Sequence, residues 1–172
     1  LHLSIRRQRQ MCIRDRPLPE GPLAEHSRFY QRLHRRYAND LPLLPPGVPV
    51  LATMEQAYDA LCARGCDTGT ALRVLRQLVM ERLIQLDCEA QTPLADITRA
   101  VTELAELALD RACQQARREL DERHGAPRGS QGQPVQLWII GMGKLGAREL
   151  NVSSDIDLIY VCLLYTSDAA DE

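Results

Sequence analysis

Residues 137–161, Leu-Trp-Ile-Ile-Gly-Met-Gly-Lys-Leu-Gly-Ala-Arg-Glu-Leu-Asn-Val-Ser-Ser-Asp-Ile-Asp-Leu-Ile-Tyr-Val, hold the groups best suited to chemistry. An apolar run ends in glycines, a short polar segment follows, and Asp155-Ile-Asp157 opens a second apolar run. Side chains alternate faces along a strand, so Asp155 and Asp157 are expected to point the same way. Two carboxylates on one face form an oxygen-rich seat for Mg²⁺. A glycine turn whose backbone N–H groups are free can hold phosphate. Metal and phosphate cradle together are the equipment for moving a phosphoryl or nucleotidyl group.

Three arrangements could use these residues. Gly141-Met-Gly143-Lys-Leu-Gly146 fits the glycine pattern of a dinucleotide fold. That fold needs a long crossover helix before the next parallel strand and an acid at that strand's far end. Only residues 144–154 intervene here, and the acids stand at the near end. A P-loop is excluded, because no Ser or Thr follows Lys144 and no glycine sits five residues before it. The third arrangement is that of a nucleotidyltransferase: strand, glycine turn, short helix, then a strand starting with Asp-x-Asp. In it Asp155 and Asp157 are the catalytic metal ligands. Gly143 lets backbone approach phosphate closely, and Lys144, Ser153 and Ser154 are placed to donate hydrogen bonds to phosphate oxygens. Taken singly, each piece has a plainer reading: a solvated strand edge, surface helix charges, a serine turn. The joint spacing favours the nucleotidyl-transfer reading.

The elements that must position this unit precede it. Residues 24–39 read as a helix, with Phe29, Leu33 and Tyr37 at four-residue steps. Residues 41–50, with four prolines, read as an extended linker. Thr53 is expected to cap the next helix, with Gln56 completing a capping box and a stop near Gly65. Asp67 or Thr68 caps a third helix, whose stripe is Leu72, Leu75, Leu78, Val79, Leu83 and Leu86. Thr92-Pro93 signals the start of a long helix. It is expected to bury Ile97, Val101, Leu104, Ala108, Ala112, Ala116 and Leu120, its polar second half facing solvent. Residues 135–140 and 156–161 have the length and apolarity of strands. The expected class is α+β: a helical region over 17–125, a linker over 126–134, and the first strands of an incomplete sheet over 135–161. The ends, 1–16 and 162–172, read as non-native read-through or disordered tails and are set aside.

Bulk properties narrow the function. A net charge of −2 gives no global field for nucleic acid or an anionic membrane. Aromatics make up 4% of residues, too few for a single-strand stacking surface. No apolar run approaches a membrane span, and no signal core follows the N-terminal arginines, so a cytoplasmic protein with reduced thiols is expected. Cys62 and Cys66 could share a helix face, but lacking a second ligand pair they read as small buried residues rather than a zinc site. The histidines fall in no ligand spacing.

The stretch Gly141-Met-Gly-Lys-Leu-Gly-Ala-Arg-Glu-Leu-Asn-Val-Ser-Ser-Asp-Ile-Asp-Leu-Ile159 resembles the signature of bacterial glutamine-synthetase adenylyltransferase/adenylyl-removing enzymes, with Glu149-Leu-Asn151 and the glycines as its most specific part. The lead-in, including Arg28-Phe-Tyr-Gln-Arg-Leu-His-Arg-Arg-Tyr37 and Leu44-Pro-Pro-Gly47, is compatible with the approach to that family's first catalytic domain. The resemblance covers about 17–161. It implies a polymerase-beta-like nucleotidyltransferase sheet, here truncated, behind helices. It implies removal of AMP from a tyrosine of glutamine synthetase by phosphorolysis to ADP, and, in a second domain, addition of AMP from ATP. Asn151-Val-Ser-Ser-Asp-Ile-Asp157 is similar to the removing copy; the adding copy usually has a glycine and an aromatic in place of Asn151-Val152. Carried over, Asp155 and Asp157 bind Mg²⁺, Gly141, Gly143 and Lys144 lie in the phosphate-facing loop, and Ser154 sits beside the metals. The signalling protein PII and glutamine are the implied effectors. The chain departs from the pattern at Ala147, where glycine is commoner. The family also needs a third carboxylate on a later strand; Asp168, Asp171 and Glu172 lie in the suspect tail. The 172-residue piece is therefore expected to be inactive alone. The rival readings are a non-catalytic helical interaction module and a dinucleotide-binding domain.

Overall fold

A computed structural model describes residues 21–129 and 132–162. The tails, apart from Cys162, and Ser130 and Gln131 of the linker lie outside the described residues. Within them the architecture is α+β: helices followed by one two-stranded antiparallel sheet.

The helix expected over 24–39 is two pieces. A 3-10 turn, Leu23–His26, is separated from α1 (Arg28–Arg36) by Ser27. Ser27 is extended and its hydroxyl accepts the Tyr30 N–H at 3.3 Å, so a local cap sets the break. The buried face is Tyr30 and Leu33, whereas Phe29 lies outside with Arg32 over its ring. Of the expected face, Leu33 is buried and Tyr37 packs against the core, while Tyr30 takes the inward place expected of Phe29. Burial raises the Tyr30 hydroxyl's pKa, and the nearby Glu81 carboxylate adds to the effect.

The proline segment opens with a 3-10 turn, Leu41–Leu43, rather than running extended throughout. It is held by Arg82, which donates to the carbonyls of Leu44 and Pro45. Helix α2 spans Leu51–Ala63. Thr53 does not cap it as N-cap. It sits inside the first turn, and its hydroxyl accepts the Val50 N–H and donates to the Val50 carbonyl. Cys66 lies in the turn beyond the helix end, so it shares no helix face with Cys62; both pack half-buried against the core.

Helix α3, Thr68–Ala90, starts at Asp67, one of the two expected caps. The carboxylate accepts from the Thr70 N–H at 2.9 Å and the Thr70 hydroxyl at 2.6 Å. These bonds, the hydroxyl's first, hold the Asp67 carboxyl below the usual aspartate range. A depressed folded-state pKa adds stability at neutral pH that is lost as pH falls through it. Circular dichroism melts should therefore show the wild type losing part of its stability below about pH 4. The Asp67→Ala variant should lack that component.

Helix α4 is the long one, Leu94–His124. Pro93, not Thr92, is the N-cap, and Thr92 instead donates to the Leu86 carbonyl at the end of α3. Burial stops at Leu107: Ala112 and Ala116 are exposed, and Leu120 is 54% exposed. The apolar stripe continues past the core; beyond Leu109 the contact with α2 passes to Arg111, which pairs with Glu55 and lies over the Tyr58 ring. The core is built from α1, α2, α3 and the first half of α4, with Met54, Leu75, Leu78, Val79 and Thr102 fully enclosed. Buried Glu81 accepts a 2.8 Å contact from His34 Nδ1, tying α3 to α1.

Beyond the linker, β1 (Leu137–Gly141) pairs antiparallel with β2 (Leu158–Cys162), Leu137 opposite Cys162 and Gly141 opposite Leu158. Each strand begins two residues later than expected. A single one-turn helix, α5 (Gly143–Gly146), follows β1. Leu137, Trp138, Ile140, Ile159 and Tyr160 are exposed, because a two-stranded ribbon supplies no second layer to cover its faces.

Candidate functional site

The turn after β1 is shaped by two glycines. Gly143 has φ +54°, a left-handed conformation that costs glycine little. At Gly146 a Cβ would lie 2.5 Å from the Gly141 carbonyl oxygen, so only hydrogen fits there. The amides of Gly146 and Ala147 bond back to Met142 and Gly143, closing the turn. Gly146→Ala should force the turn open at a cost of about 1–3 kcal/mol. In hydrogen exchange the amides of Met142 and Ala147 should lose protection, while the helical core melts unchanged.

The turn is anchored to the bundle by groups that periodicity alone does not reveal. Leu145 and Leu150 are buried in the helical core. The enclosed Thr102 hydroxyl donates to the Thr98 carbonyl at 2.8 Å and accepts the Leu150 N–H at 3.1 Å. A polar residue on the buried stripe of α4 was the available signal. Arg148, at φ +60°, reaches Glu106 at 3.2 Å and Glu103 at 3.9 Å on α4. It is thus a clamp between turn and helix rather than a loose surface charge.

Asp155, Ile156 and Asp157 precede β2 instead of opening it. The ladder is nonetheless extended beside them, since the Met142 N–H donates to the Asp157 carbonyl at 2.9 Å. Both aspartates are exposed, and their carboxylates have no hydrogen-bond or ion-pair partner among the described residues. Hard oxygen donors with no cation beside them suit Mg²⁺, which keeps water and substrate phosphate as its other ligands. No cluster of three or more His, Cys, Asp or Glu forms among the described residues.

The expected site residues do not converge in one cavity. Ser154 and Asp155 line a cleft of about 580 Å³ against α3 and α4. Lys144 lines another, with Arg99, Glu103, Arg148 and Glu149. Gly141 lines a third, with β1 and α4. Gly143, Ser153 and Asp157 line none of these. The antiparallel pairing also removes the dinucleotide alternative, which needs parallel neighbours.

Among the described residues no helix is long and apolar enough to cross a membrane. Residues 27–171 match the family "Glutamate-ammonia ligase adenylyltransferase". Among curated proteins, the chain is similar to the bifunctional glutamine synthetase adenylyltransferase/adenylyl-removing enzyme of Aromatoleum aromaticum, 36% identical over 166 residues, 91% of this chain and 17% of that protein. The enzyme of the same name from Burkholderia mallei is 40% identical over 116 residues, 64% of this chain and 12% of that protein. That of Chromobacterium violaceum is 49% identical over 92 residues, 53% and 10% respectively. The chain therefore spans less than a fifth of the length of these relatives. The match covers both the helical region and the glycine–aspartate unit, and by it the chain belongs to the glutamate–ammonia ligase adenylyltransferase family.

Proposed function

We propose that the full-length protein to which this chain belongs removes AMP from a tyrosine of glutamine synthetase, and that residues 135–161 are the opening of the domain that does so. The observation that carries this reading is the pair of exposed, unpartnered carboxylates, Asp155 and Asp157, next to a glycine turn in a member of that family. Asn151-Val152 favours the removing copy over the adding one.

In this reading an oxygen of inorganic phosphate attacks the AMP phosphorus. The bond from that phosphorus to the tyrosine oxygen breaks, the phenolate takes up a proton, and ADP leaves. Asp155 and Asp157 would hold Mg²⁺, which when bound neutralises charge on the phosphate oxygens. Ser154, in the same cleft as Asp155, would donate to those oxygens with Ser153 next to it in sequence, and Lys144, Gly141 and Gly143 would reach them from the neighbouring glycine turn. The glycine turn is fixed before substrate arrives, by Leu145, Leu150, Thr102 and Arg148, so ordering it costs nothing at the moment of reaction. The adding activity with ATP, and control by PII and glutamine, belong to the rest of the protein. A cytoplasmic setting fits the free thiols of Cys62, Cys66, Cys88, Cys113 and Cys162.

The test is to incubate the full-length protein with adenylylated glutamine synthetase, Mg²⁺ and phosphate. ADP should form only when phosphate is present. Absence of phosphate-dependent ADP would remove this reading.

A further inference from the structure

We propose that Arg73 and Arg76 of α3 bind the phosphate that attacks, and with it the terminal phosphate of the ADP that forms. This rests on the proposed removal reaction and names the binding residues for its smaller substrate. Both arginines line the cleft of about 580 Å³ that also takes in Ser154 and Asp155. The floor is apolar: Met80, Val101 and Leu104 are all at least nine-tenths buried. The two arginines are three residues apart on one helix, so both guanidiniums stand on one face and repel each other unless an anion lies between them. Arg73 has one hydrogen bond, to the neutral Thr70 hydroxyl at 3.0 Å, with Asp67 close enough to feel its charge. Arg76 has no hydrogen-bond or ion-pair partner among the described residues. Arg64 closes on Asp40, Arg111 on Glu55 and Arg148 on Glu106, whereas the exposed Arg73 and Arg76 close on no carboxylate among the described residues. Asp155 shares the cleft with Arg73 and Arg76 yet pairs with neither. The cleft thus sets two arginines and an aspartate around one apolar floor with no ion pair between them. An oxyanion fits the two arginines, because a planar guanidinium fork offers paired donors to phosphate oxygens.

The full-length protein and its Arg73→Gln, Arg76→Gln and double variants test this. Each single change should raise KM for inorganic phosphate about tenfold, the value of one charge-assisted hydrogen bond. ADP inhibition should weaken in parallel, and KM for adenylylated glutamine synthetase should stay constant. Arg118→Gln, on the exposed half of α4, should change none of these. An unchanged KM for phosphate overturns the proposal. So does a rise confined to KM for the protein substrate, which would put the arginines against glutamine synthetase. Calorimetric titration with inorganic phosphate separates the two levels. A wild type that binds phosphate but forms no ADP, with binding lost in the double variant, overturns the removal reaction and sustains the arginine site.

Discussion

Replacing Asp155 or Asp157 with Asn is expected to lower phosphate-dependent ADP formation by the full-length protein about a thousandfold. The magnitude follows from the role. Neutralising phosphate charge with a bound cation is worth several kcal/mol, and each 1.36 kcal/mol in a barrier is about a factor of ten. Asn keeps the shape and one oxygen but removes the charge that recruits the cation. Both side chains are exposed and unpaired, so no packing is lost and the melting temperature should hold within about a degree of wild type, as for ordinary surface changes. The two readouts separate chemistry from folding. A variant with both activity and melting temperature intact would support the rival reading, in which the helices form an interaction module and the acids do nothing. Raising Mg²⁺ should partly recover the single variants, each of which retains one carboxylate, and should not recover the double variant.

The second large effect lies in the bundle. Leu75 on α3 is fully buried within the core shared by the helices. Leu75→Ala removes apolar volume from the centre and leaves a cavity, which costs about 2–5 kcal/mol. Against a total of about 5–15 kcal/mol for a domain, that is a large share of the stability. Urea unfolding followed by helical circular dichroism should show a lower midpoint with an unchanged slope. Leu120→Ala should barely move it, since Leu120 stands in solvent on the distal half of α4. Equal losses at the two positions would mean that the far half of α4 is covered in solution.

Local features were legible without coordinates. The Asp67 cap, the stop before Gly65 and the breadth of the α3 stripe each depend on residues within a turn or two of one another. Where the expectations missed, either a different local bond or a second element decided. Thr53 works from inside its helix, because Val50 offers the N–H that its hydroxyl can reach. Tyr30 rather than Phe29 faces inward, with His34 stacked on it and Glu81 nearby. The second half of α4 keeps its apolar spacing, yet Ala112, Ala116 and Leu120 stay exposed on it.

The sequence by itself determined the chemistry available: two acids, a glycine turn and the donors around them, at a spacing few arrangements share. Tertiary structure alone decided which strand faces which. It also decided that Thr102 and Arg148 clamp the turn to α4, and that Arg73 and Arg76 share a cleft with Asp155. The reason is one of range. Caps and turns close hydrogen bonds within a few residues of chain, so residue types announce them. A contact between α3 and residues 150–156 joins side chains distant in sequence, and it exists only once the core has set the helices in place.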